Sequence, residues 1–503
     1  MSYGFGRRAL LAASAVAPLI PRARAQANML TVGLVNYPPN IRPWENTGSS
    51  QAAVKLAMHR TLLSYDVEGR LRPELAEEWS QEKPTTLHFK LREGMRFHNG
   101  DPVTAEDVKY TLEAIPGARS TAYLRKEYGV IEKVEVLNAR ELRVTLKEPS
   151  APFPHLLASY HAPIVSAKAM AANANTPAGA GPFMLENIDR GTGITVRRFD
   201  GYYRPGLPRL ERIRFQAYAD ENLRVAALEA GDVQIVEGVP WQKMAALEQN
   251  PRVRLDSVVG PFMYLVFNTR SGPFTDPRLR QAVACAIRRE DIVRVAHFGR
   301  GETLEGLPFS GPLGRSEANK LWPYNPAKAK ELMAAAGHPD GFTATLLSTS
   351  SPTLHTQTAE VVQANLSEVG IQVDLQLPDW PTRVGLGNRG QYQFAIMGSV
   401  GAYNDPDSLQ TFISGPPAYP RSYGFESERI STLLADGRRE IDPAKRTAIY
   451  ENLMKVAAEE VPIVGLSWRA QAFGLQRNIT GFRNLDGPLT FYSPITLEET
   501  AIG

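Results

Sequence analysis

The clearest pattern of apolar and polar residues lies in the second half of the chain. Residues 342–347 form a strand-like run, and residues 356–369 repeat apolar side chains with the period of an amphipathic helix that Gly370 ends. Residues 371–377 and 392–396 then alternate with the period of strands. The order strand, helix, strand, helix, strand predicts right-handed crossovers, a largely parallel sheet and hence an α/β protein.

This topology predicts where a ligand binds. In open α/β sheets, ligands bind outside the carboxyl ends of the strands, and the strand ending near Met397 runs into GSVGAYNDPDS, residues 398–408. Glycines let the backbone approach a ligand, and the tyrosine offers a flat face with a hydroxyl group. A solvated turn is the alternative interpretation. The candidate ligand contacts in this loop are Ser399, Gly401, Ala402, Tyr403 and Asn404.

A second informative stretch is FKLREGMRFHNGDPVTAEDV, residues 89–108. Its first residues alternate as a short strand, and Asn99-Gly100 supplies a left-handed turn. Thr104 then begins a helix, and Asp107 lies at the position from which it can complete a capping box. The pattern predicts a strand, a tight turn and a capped helix, which any α/β domain could contain.

The first 25 residues predict a cleaved export signal. Arg7-Arg8 precedes an apolar run at residues 9–20, and Ala23-Arg24-Ala25 fits a small-residue cleavage site. This run is shorter than the about 20 residues that span a bilayer. The pair of arginines favours twin-arginine export, with the general secretory route as the alternative. Because no cysteine follows to carry a lipid anchor, we expect a soluble protein of a Gram-negative periplasm.

Charge and cysteine content exclude several classes of function. Removing residues 1–25 takes away four arginines and no acid, so 52 basic residues face 53 acidic ones in the remaining 478. Without a long basic run, nucleic acid is not an expected partner. Cys285 is the only cysteine, which excludes an internal disulfide, and its place on an apolar helical stripe predicts a small buried side chain.

Motifs of catalysis and metal binding are absent from the sequence. It contains no HExxH, GxxxxGK[ST] or CxxC, and its eight histidines never occur at helical ligand spacing. GLSWR at residues 465–469 lacks the second glycine of a nucleophile elbow and lies in a predicted strand. We therefore expect no enzyme, no cofactor and no metal site. A secreted hydrolase with an unrecognised carboxylate pair is the alternative from another class of function.

The string at residues 89–108 closely resembles the signature of family 5 of the extracytoplasmic solute-binding proteins, which supply ABC importers with peptides, nickel chelates and opines. Similar matches continue in the right order over nearly the whole chain. They are RPELAEEW at 72–79, GAGPF at 179–183, LVFNTRSGPFTDPRLRQAVACAIRRE at 265–290, YNPAKAKELMAAAG at 324–337 and DPAKRTAIYENLMKVAAEEVPIV at 442–464.

This resemblance implies a two-lobed α/β fold of the periplasmic-binding-protein type (cluster C), with an extra subdomain in the first lobe. Strands near residues 259–268 and 465–473 would cross between the lobes as a hinge. The implied function is a monomeric receptor that captures a small solute between its lobes and delivers it to an ABC permease in the inner membrane. The expected bounds are 28–46, 178–258 and 471–503 for lobe 1, 47–177 for the inserted subdomain, and 259–470 for lobe 2.

One departure from the family concerns the ligand. The family's peptide receptors place an aspartate in loop 398–408 to pair with the free α-ammonium of a peptide, and the matching position here is Ala402. A desolvated ammonium without a counter-charge costs several kcal/mol. Asp405 and Asp407 could replace that aspartate, although their family counterparts usually shape the loop. We expect a peptide or peptide-like solute, with opine-like, amine-blocked and metal-chelate solutes as open alternatives.

Three further residues are candidate ligand contacts. His161 matches the position at which the nickel-binding branch of the family carries an arginine, and its ring could hydrogen-bond a ligand. Tyr37 follows the first predicted strand, and Trp380 follows the strand ending at Leu377. For each of the three, a packing role is the alternative.

Overall fold

The computed structural model describes Met1 and residues 29–350, 353–401, 403–414 and 419–503, with only the backbone of Thr353 described. The predicted export signal and Ala402 lie outside the described residues. Within them, a mixed eleven-stranded sheet runs through both halves of the molecule, and a separate four-stranded sheet forms an inserted subdomain.

The strands are numbered along the chain. They are β1 (Met29–Leu34), β2 (Leu63–Tyr65), β3 (Leu71–Pro73), β4 (Ala76–Lys83), β5 (Thr86–Leu91), β6 (Ile131–Asn138), β7 (Glu141–Leu146), β8 (Phe183–Asp189), β9 (Gly193–Arg198), β10 (Arg212–Ala217), β11 (Ile235–Glu237), β12 (Val253–Phe267), β13 (Gly301–Thr303), β14 (Phe342–Leu347), β15 (Ile371–Gln376), β16 (Phe394–Ser399), β17 (Val464–Gln476), β18 (Ile479–Thr480) and β19 (Ala501–Ile502).

The α-helices are numbered in the same way, and a long 3-10 segment, Gly487–Glu498, lies near the C-terminus. They are α1 (Ser49–Met58), α2 (Ala105–Ala114), α3 (Phe153–Leu157), α4 (Ala167–Ala172), α5 (Glu221–Ala230), α6 (Trp241–Glu248), α7 (Pro277–Ala286), α8 (Arg289–Asp291), α9 (Pro326–Ala335), α10 (Thr353–Ser367), α11 (Trp380–Asn388), α12 (Gln410–Ile413), α13 (Glu428–Arg439) and α14 (Pro443–Glu460).

The first lobe is built around β1, which pairs in parallel with β10 on one side and with β11 on the other. β9 and β8 continue the sheet in antiparallel fashion. β1 is buried along nearly its whole length, as expected for a parallel strand that is covered on both faces. Because β1 and β11 are parallel, the residues that follow them emerge at the same edge of the sheet.

The second lobe confirms the predicted strand–helix–strand pattern. β14 pairs in parallel with both β15 and β16. The strand predicted at residues 342–347 has these bounds in the structure, whereas α10 begins at Thr353, three residues before its predicted start. β16 continues to Ser399, two residues beyond Met397, so the predicted ligand loop leaves directly from its end.

β12 and β17 connect the two lobes as one long antiparallel ribbon. Their pairing runs from Val253 opposite Gln476 to Leu265 opposite Val464, with an irregularity between Val259 and Phe262. β11 pairs with β17 at the first-lobe end, and β16 pairs with β12 at the second-lobe end. The segments predicted to cross between the lobes therefore lie within these two strands.

The inserted subdomain holds an antiparallel sheet in the order β4-β5-β7-β6. The capping box at the start of α2 is confirmed, because the backbone N–H of Thr104 donates to Asp107 Oδ2 at 2.9 Å. Gly100 has a φ of 86°, as the predicted left-handed turn requires. The strand, tight turn and capped helix predicted for this stretch are therefore confirmed.

Buried ion pairs fasten this subdomain to the first lobe and to the C-terminal segment. Arg60 Nη2 lies 2.7 Å from Glu498 Oε2, and Arg60 Nε lies 3.4 Å from Glu74 Oε1. Arg204 Nη2 also lies 2.8 Å from Glu74 Oε2. Since enclosed charges are costly unless they are paired, this network holds together four positions that are distant in sequence.

One sequence expectation needs a correction. Cys285 is half-buried at the edge of the second-lobe core, whereas its neighbours Val283 and Ala284 are fully enclosed, so the side chain is not the deeply buried hydrophobe predicted. Separately, no helix among the described residues has both the length and the hydrophobicity needed to cross a membrane.

Candidate functional site

A cavity of about 660 Å³ lies between the two lobes, over β17 of the connecting ribbon. The ends of β1 and β11 form its first-lobe wall, the first turn of α10 forms part of its second-lobe wall, and β17 supplies its floor. This position, outside the carboxyl ends of parallel strands, is where open α/β sheets bind ligands. The lining side chains that matter most here are Asn36, Glu237, Leu354, Gln357, Arg469 and Gln471.

The acidic side chains of this cavity already have partners. Asp220 accepts the backbone N–H groups of Asn222 and Leu223 at 2.8 and 2.9 Å, which caps α5. Glu221 Oε1 accepts a hydrogen bond from Gln242. Burial raises the pKa of Glu237, while hydrogen bonds from serines and the charge of Arg224 oppose that shift. The carboxylates of the first-lobe wall therefore already have partners.

The floor of the cavity is different. Arg469 Nη1 donates to Gln471 Oε1 at 3.2 Å, but the enclosed Nε–H of Arg469 has no partner among the described residues. Part of the side chain is accessible from the cavity, yet enough protein surrounds it that burial lowers the pKa of Arg469 to about 10. The guanidinium is still cationic at neutral pH.

In the predicted ligand loop, the two aspartates hold the chain in shape. Asp405 accepts two hydrogen bonds from Arg446, at 2.6 and 2.7 Å, and is 3% exposed. Arg438 Nη2 lies 3.1 Å from Asp407 Oδ1. Burial raises the pKa of Asp407, although Arg438 opposes this. Neither carboxylate is free to receive the ammonium group of a peptide.

Tyr403 and Asn404 dock the loop onto the inserted subdomain. Tyr403 is 2% exposed within the subdomain core, beside Leu489 and Tyr492, and its hydroxyl donates to Asp407 Oδ2 at 2.9 Å. Asn404 Nδ2 donates to the backbone oxygen of Gly69 at 3.1 Å. The structure thus places the Tyr403 ring in a packed interface, where its face is covered by protein.

The other loop candidates lie before this docked part. Ser399 is the last residue of β16, and its Oγ accepts the N–H of Gly401 at 3.4 Å. Gly401 has a φ of 84°, which only glycine adopts without strain. Ala402 lies outside the described residues. The short turn at 399–401 therefore joins the second-lobe sheet to a loop fixed against the first lobe.

His161, Tyr37 and Trp380 occupy three separate environments. His161 is 2% exposed, with its ring centroid 4.0 Å from that of Tyr160, and burial lowers its pKa well below the usual value. Tyr37 is half-buried against the first-lobe core, next to the cavity residue Asn36. Trp380 is 38% exposed and lies edge-on to His355 at 5.7 Å between ring centroids. Among the described residues, the cavity lining does not bring these three together.

A second cavity, of about 520 Å³, lies between the inserted subdomain and α13. Its arginine, Arg438, is already paired, since it binds Asp407 and lies close to Glu127. The cavity between the lobes, with its unpaired guanidinium, is therefore the better candidate for solute binding.

Two lobes, a connecting ribbon and a cavity between them define a cleft-type binding protein. The sequence model of "Bacterial extracellular solute-binding proteins, family 5 Middle" matches residues 70–419. The chain belongs to this family, the family-5 solute-binding proteins of ABC importers.

Known relatives extend the comparison over the whole chain. Glutathione-binding protein GsiB of Shigella dysenteriae serotype 1 is 27% identical over 499 residues, covering 96% of this chain and 97% of GsiB. The structure of the PBP AgaA from A. tumefaciens R10, in complex with agropinic acid, has a TM-score of 0.85 and 37% identity, with 94% and 99% of the two chains covered. DppA from Helicobacter pylori, in complex with the peptide STSA, shares the fold, with a TM-score of 0.80 at 21% identity over 95% and 99% of the chains.

Sequence reasoning missed the residues that line the cavity floor. Arg469 and Gln471 occupy alternate positions of β17, so both side chains project from the same face of that strand. The available signal was a lone charged residue inside the largely apolar run VGLSWRAQAFG. That signal identifies an unusual strand residue but does not reveal that its charge lacks a partner.

Proposed function

We propose that this protein is an extracytoplasmic receptor that binds a small organic solute between its lobes and presents it to the permease of an ABC importer. The observation that carries the proposal is the cavity between the lobes, over β17, a strand of the ribbon shared by both. A volume of about 660 Å³ is in the range of small-molecule sites. Closure of the lobes around a solute would let both walls contact it, which is the source of the differential affinity that shifts such an equilibrium.

The solute best supported is a small acid derived from amino acids, either opine-like or peptide-like. AgaA, at 37% identity, is in complex with agropinic acid, and GsiB, at 27%, is named for glutathione. Ala402 replaces the aspartate that the family's peptide receptors use, and both neighbouring aspartates are already bound by arginines. These features favour a solute that does not depend on a free α-ammonium held by this loop.

The cellular setting belongs to the same proposal. The N-terminal sequence predicts export, by the twin-arginine or the general secretory route, into a Gram-negative periplasm. There the receptor acts as a monomer, without a cofactor, and its partners are the solute and the inner-membrane permease. The relatives named above are described as binding proteins, which supports binding without turnover.

The experiment is a ligand screen on the purified mature protein. Agropinic acid, glutathione and the peptide Ser-Thr-Ser-Ala are tested by thermal shift, with an uncharged sugar as control, and every hit is titrated by calorimetry. A solute at 100 times its Kd stabilises the folded state by about 2.7 kcal/mol, which gives a clear rise in Tm. Mass spectrometry of the recovered solute must show it unchanged. Catalytic conversion of any probe would favour the hydrolase alternative and refute the receptor.

A further inference from the structure

Two enclosed arginines elsewhere in this protein, Arg60 and Arg289, show how a guanidinium finds partners. Arg60 lies between the carboxylates of Glu74 and Glu498. Arg289, which is 2% exposed, donates to backbone oxygens that include those of Leu304 at 2.8 Å and Gly465 at 2.9 Å. Both solutions follow the rule that enclosed charges need partners.

Arg469 departs from this rule. Among the described residues, its side chain makes one hydrogen bond, to the neutral side-chain oxygen of Gln471, and its enclosed Nε–H has no partner. An enclosed N–H without a partner also occurs in other arginines, but each of these has a carboxylate or a backbone oxygen as another partner: Arg72, Arg224, Arg289, Arg383 and Arg421. Among the described residues, no carboxylate lies within ion-pair distance of Arg469, and the remaining residues of the chain include no aspartate or glutamate. The missing partner is therefore not hidden elsewhere in the chain.

The position of Arg469 explains where a partner can come from. The residue lies on the floor of the cavity, on a strand shared by both lobes, and Leu354 and Gln357, both near the start of α10, belong to the same lining. Helix N-termini favour negative charge, so this wall adds to the attraction for an anion. The acids of the first-lobe wall are already partnered and do not neutralise the guanidinium.

We propose that Arg469 is the specificity-determining residue of the cavity and that it binds a carboxylate of the solute. This inference rests on the proposed receptor function and narrows it to carboxylate-bearing solutes. The planar guanidinium presents Nε–H and a terminal N–H side by side, the arrangement that matches the two oxygens of a carboxylate. Gln471 accepts a hydrogen bond from Nη1, which leaves the edge with Nε–H without a partner among the described residues.

The first test needs no ligand. If Arg469 is an unpaired charge in the empty receptor, Arg469→Gln relieves a cost and raises the Tm of the solute-free protein, by about 2 °C. Arg289→Gln is the comparison, because it removes a guanidinium that binds backbone oxygens and must lower the Tm. A lower Tm for Arg469→Gln would show that Arg469 is a structural residue, and the proposal would fall.

The second test measures binding by calorimetry with agropinic acid and glutathione. Removing one partner of an enclosed charge pair is expected to weaken affinity for the carboxylate probe at least about 30-fold in Arg469→Gln. Arg469→Lys keeps the charge without the planar fork and should recover part of the loss. Arg300→Gln, which loses the same charge from an exposed pair with Glu248, should bind as the wild type does.

A methyl ester of the bound probe provides the matched ligand control. The ester should bind wild-type protein and Arg469→Gln with similar weak affinity, because the group that Arg469 recognises has been removed. Equal affinity of acid and ester for the wild type would overturn the carboxylate assignment while leaving the receptor function intact. If the wild type binds none of the probes, the proposed solutes fail, and the Tm comparison still decides whether Arg469 is held unpaired.

Discussion

The loop after β16 and the floor of the cavity deal with charge in opposite ways. In the loop, Asp405 and Asp407 are each bound by an arginine, at distances from 2.6 to 3.2 Å. On the floor, Arg469 has a neutral neighbour and an unpaired N–H. The charged groups of the loop therefore stabilise its own conformation, whereas the guanidinium of Arg469 on the floor has no charged partner.

This difference separates residues that build a site from residues that recognise a solute. A satisfied group contributes the same stabilisation whether or not a solute is present, so it cannot discriminate between solutes. An unsatisfied group in a low-dielectric setting gains much more from a matching partner. Substitutions at the ion pairs of the loop should therefore change mainly stability, and substitutions on the floor should change mainly affinity.

The largest effect is expected when the ion pair that holds the loop is broken. Arg446→Gln leaves the carboxylate of Asp405, which is 3% exposed, without its counter-charge. Loss of one partner of such a pair costs about 3–5 kcal/mol in the free energy of unfolding. Denaturant unfolding followed by circular dichroism measures this. Arg429→Gln, which disrupts an exposed pair with Glu459, is the control and should change stability little.

A double-mutant cycle tests the cause of that loss. Asp405→Asn removes the charge that Arg446 neutralises, so the double variant should be more stable than the sum of the two single losses implies. Additive losses would mean that Arg446 stabilises the fold through its other contacts, to Gly437 and Tyr450, and not through the ion pair.

A smaller effect is expected for Tyr403→Phe. This variant keeps the buried ring and removes the hydroxyl that donates to Asp407, so we expect a loss of about 1 kcal/mol in the free energy of unfolding. Affinity for the solute should be unchanged, because the ring lies in the subdomain core. A loss of binding free energy larger than the loss in the free energy of unfolding would show that Tyr403 contacts the ligand.

The smallest effect is expected for Asn404→Ala. Its side chain joins the second-lobe loop to the backbone of Gly69 in the inserted subdomain, so its loss should favour separation of the lobes. A hydrogen bond worth about 0.5–1 kcal/mol corresponds to a two- to fivefold weaker apparent affinity. Calorimetry compares this variant with Asn478→Ala, whose exposed bond to Gly503 lies at the C-terminus. Equal affinities would show that the Asn404 contact does not contribute to closure.

The fold could be predicted from the sequence where local signals were strong. Alternation and helical periodicity placed β14, α10 and β15, and the capping residues Thr104 and Asp107 marked the start of α2. These elements are determined by residues close together along the chain. Their ends shifted by a few residues because tertiary packing, as in the extension of β16 to Ser399, decides where a strand stops.

The candidate site could be predicted only in part, because its chemistry depends on contacts between distant residues. The sequence predicted the loop after β16, but not that Tyr403 belongs to the same hydrophobic core as Leu489 and Tyr492, more than 80 positions away. It also placed residues 465–469 in a strand without showing that Arg469 lacks an ion-pair partner. Absence of a partner is a property of the assembled fold and leaves no local pattern.

The ribbon of β12 and β17 has one more consequence, because it carries Arg469 and also belongs to both lobes. When two bodies turn about a common axis, points near that axis move least and the outer rims move most. An anion seated on Arg469 would stay anchored while the mouth of the cleft swings open. Release of the solute would then require breaking its contact with Arg469. The outer edges of the two lobes would need only weak contacts to close the cleft.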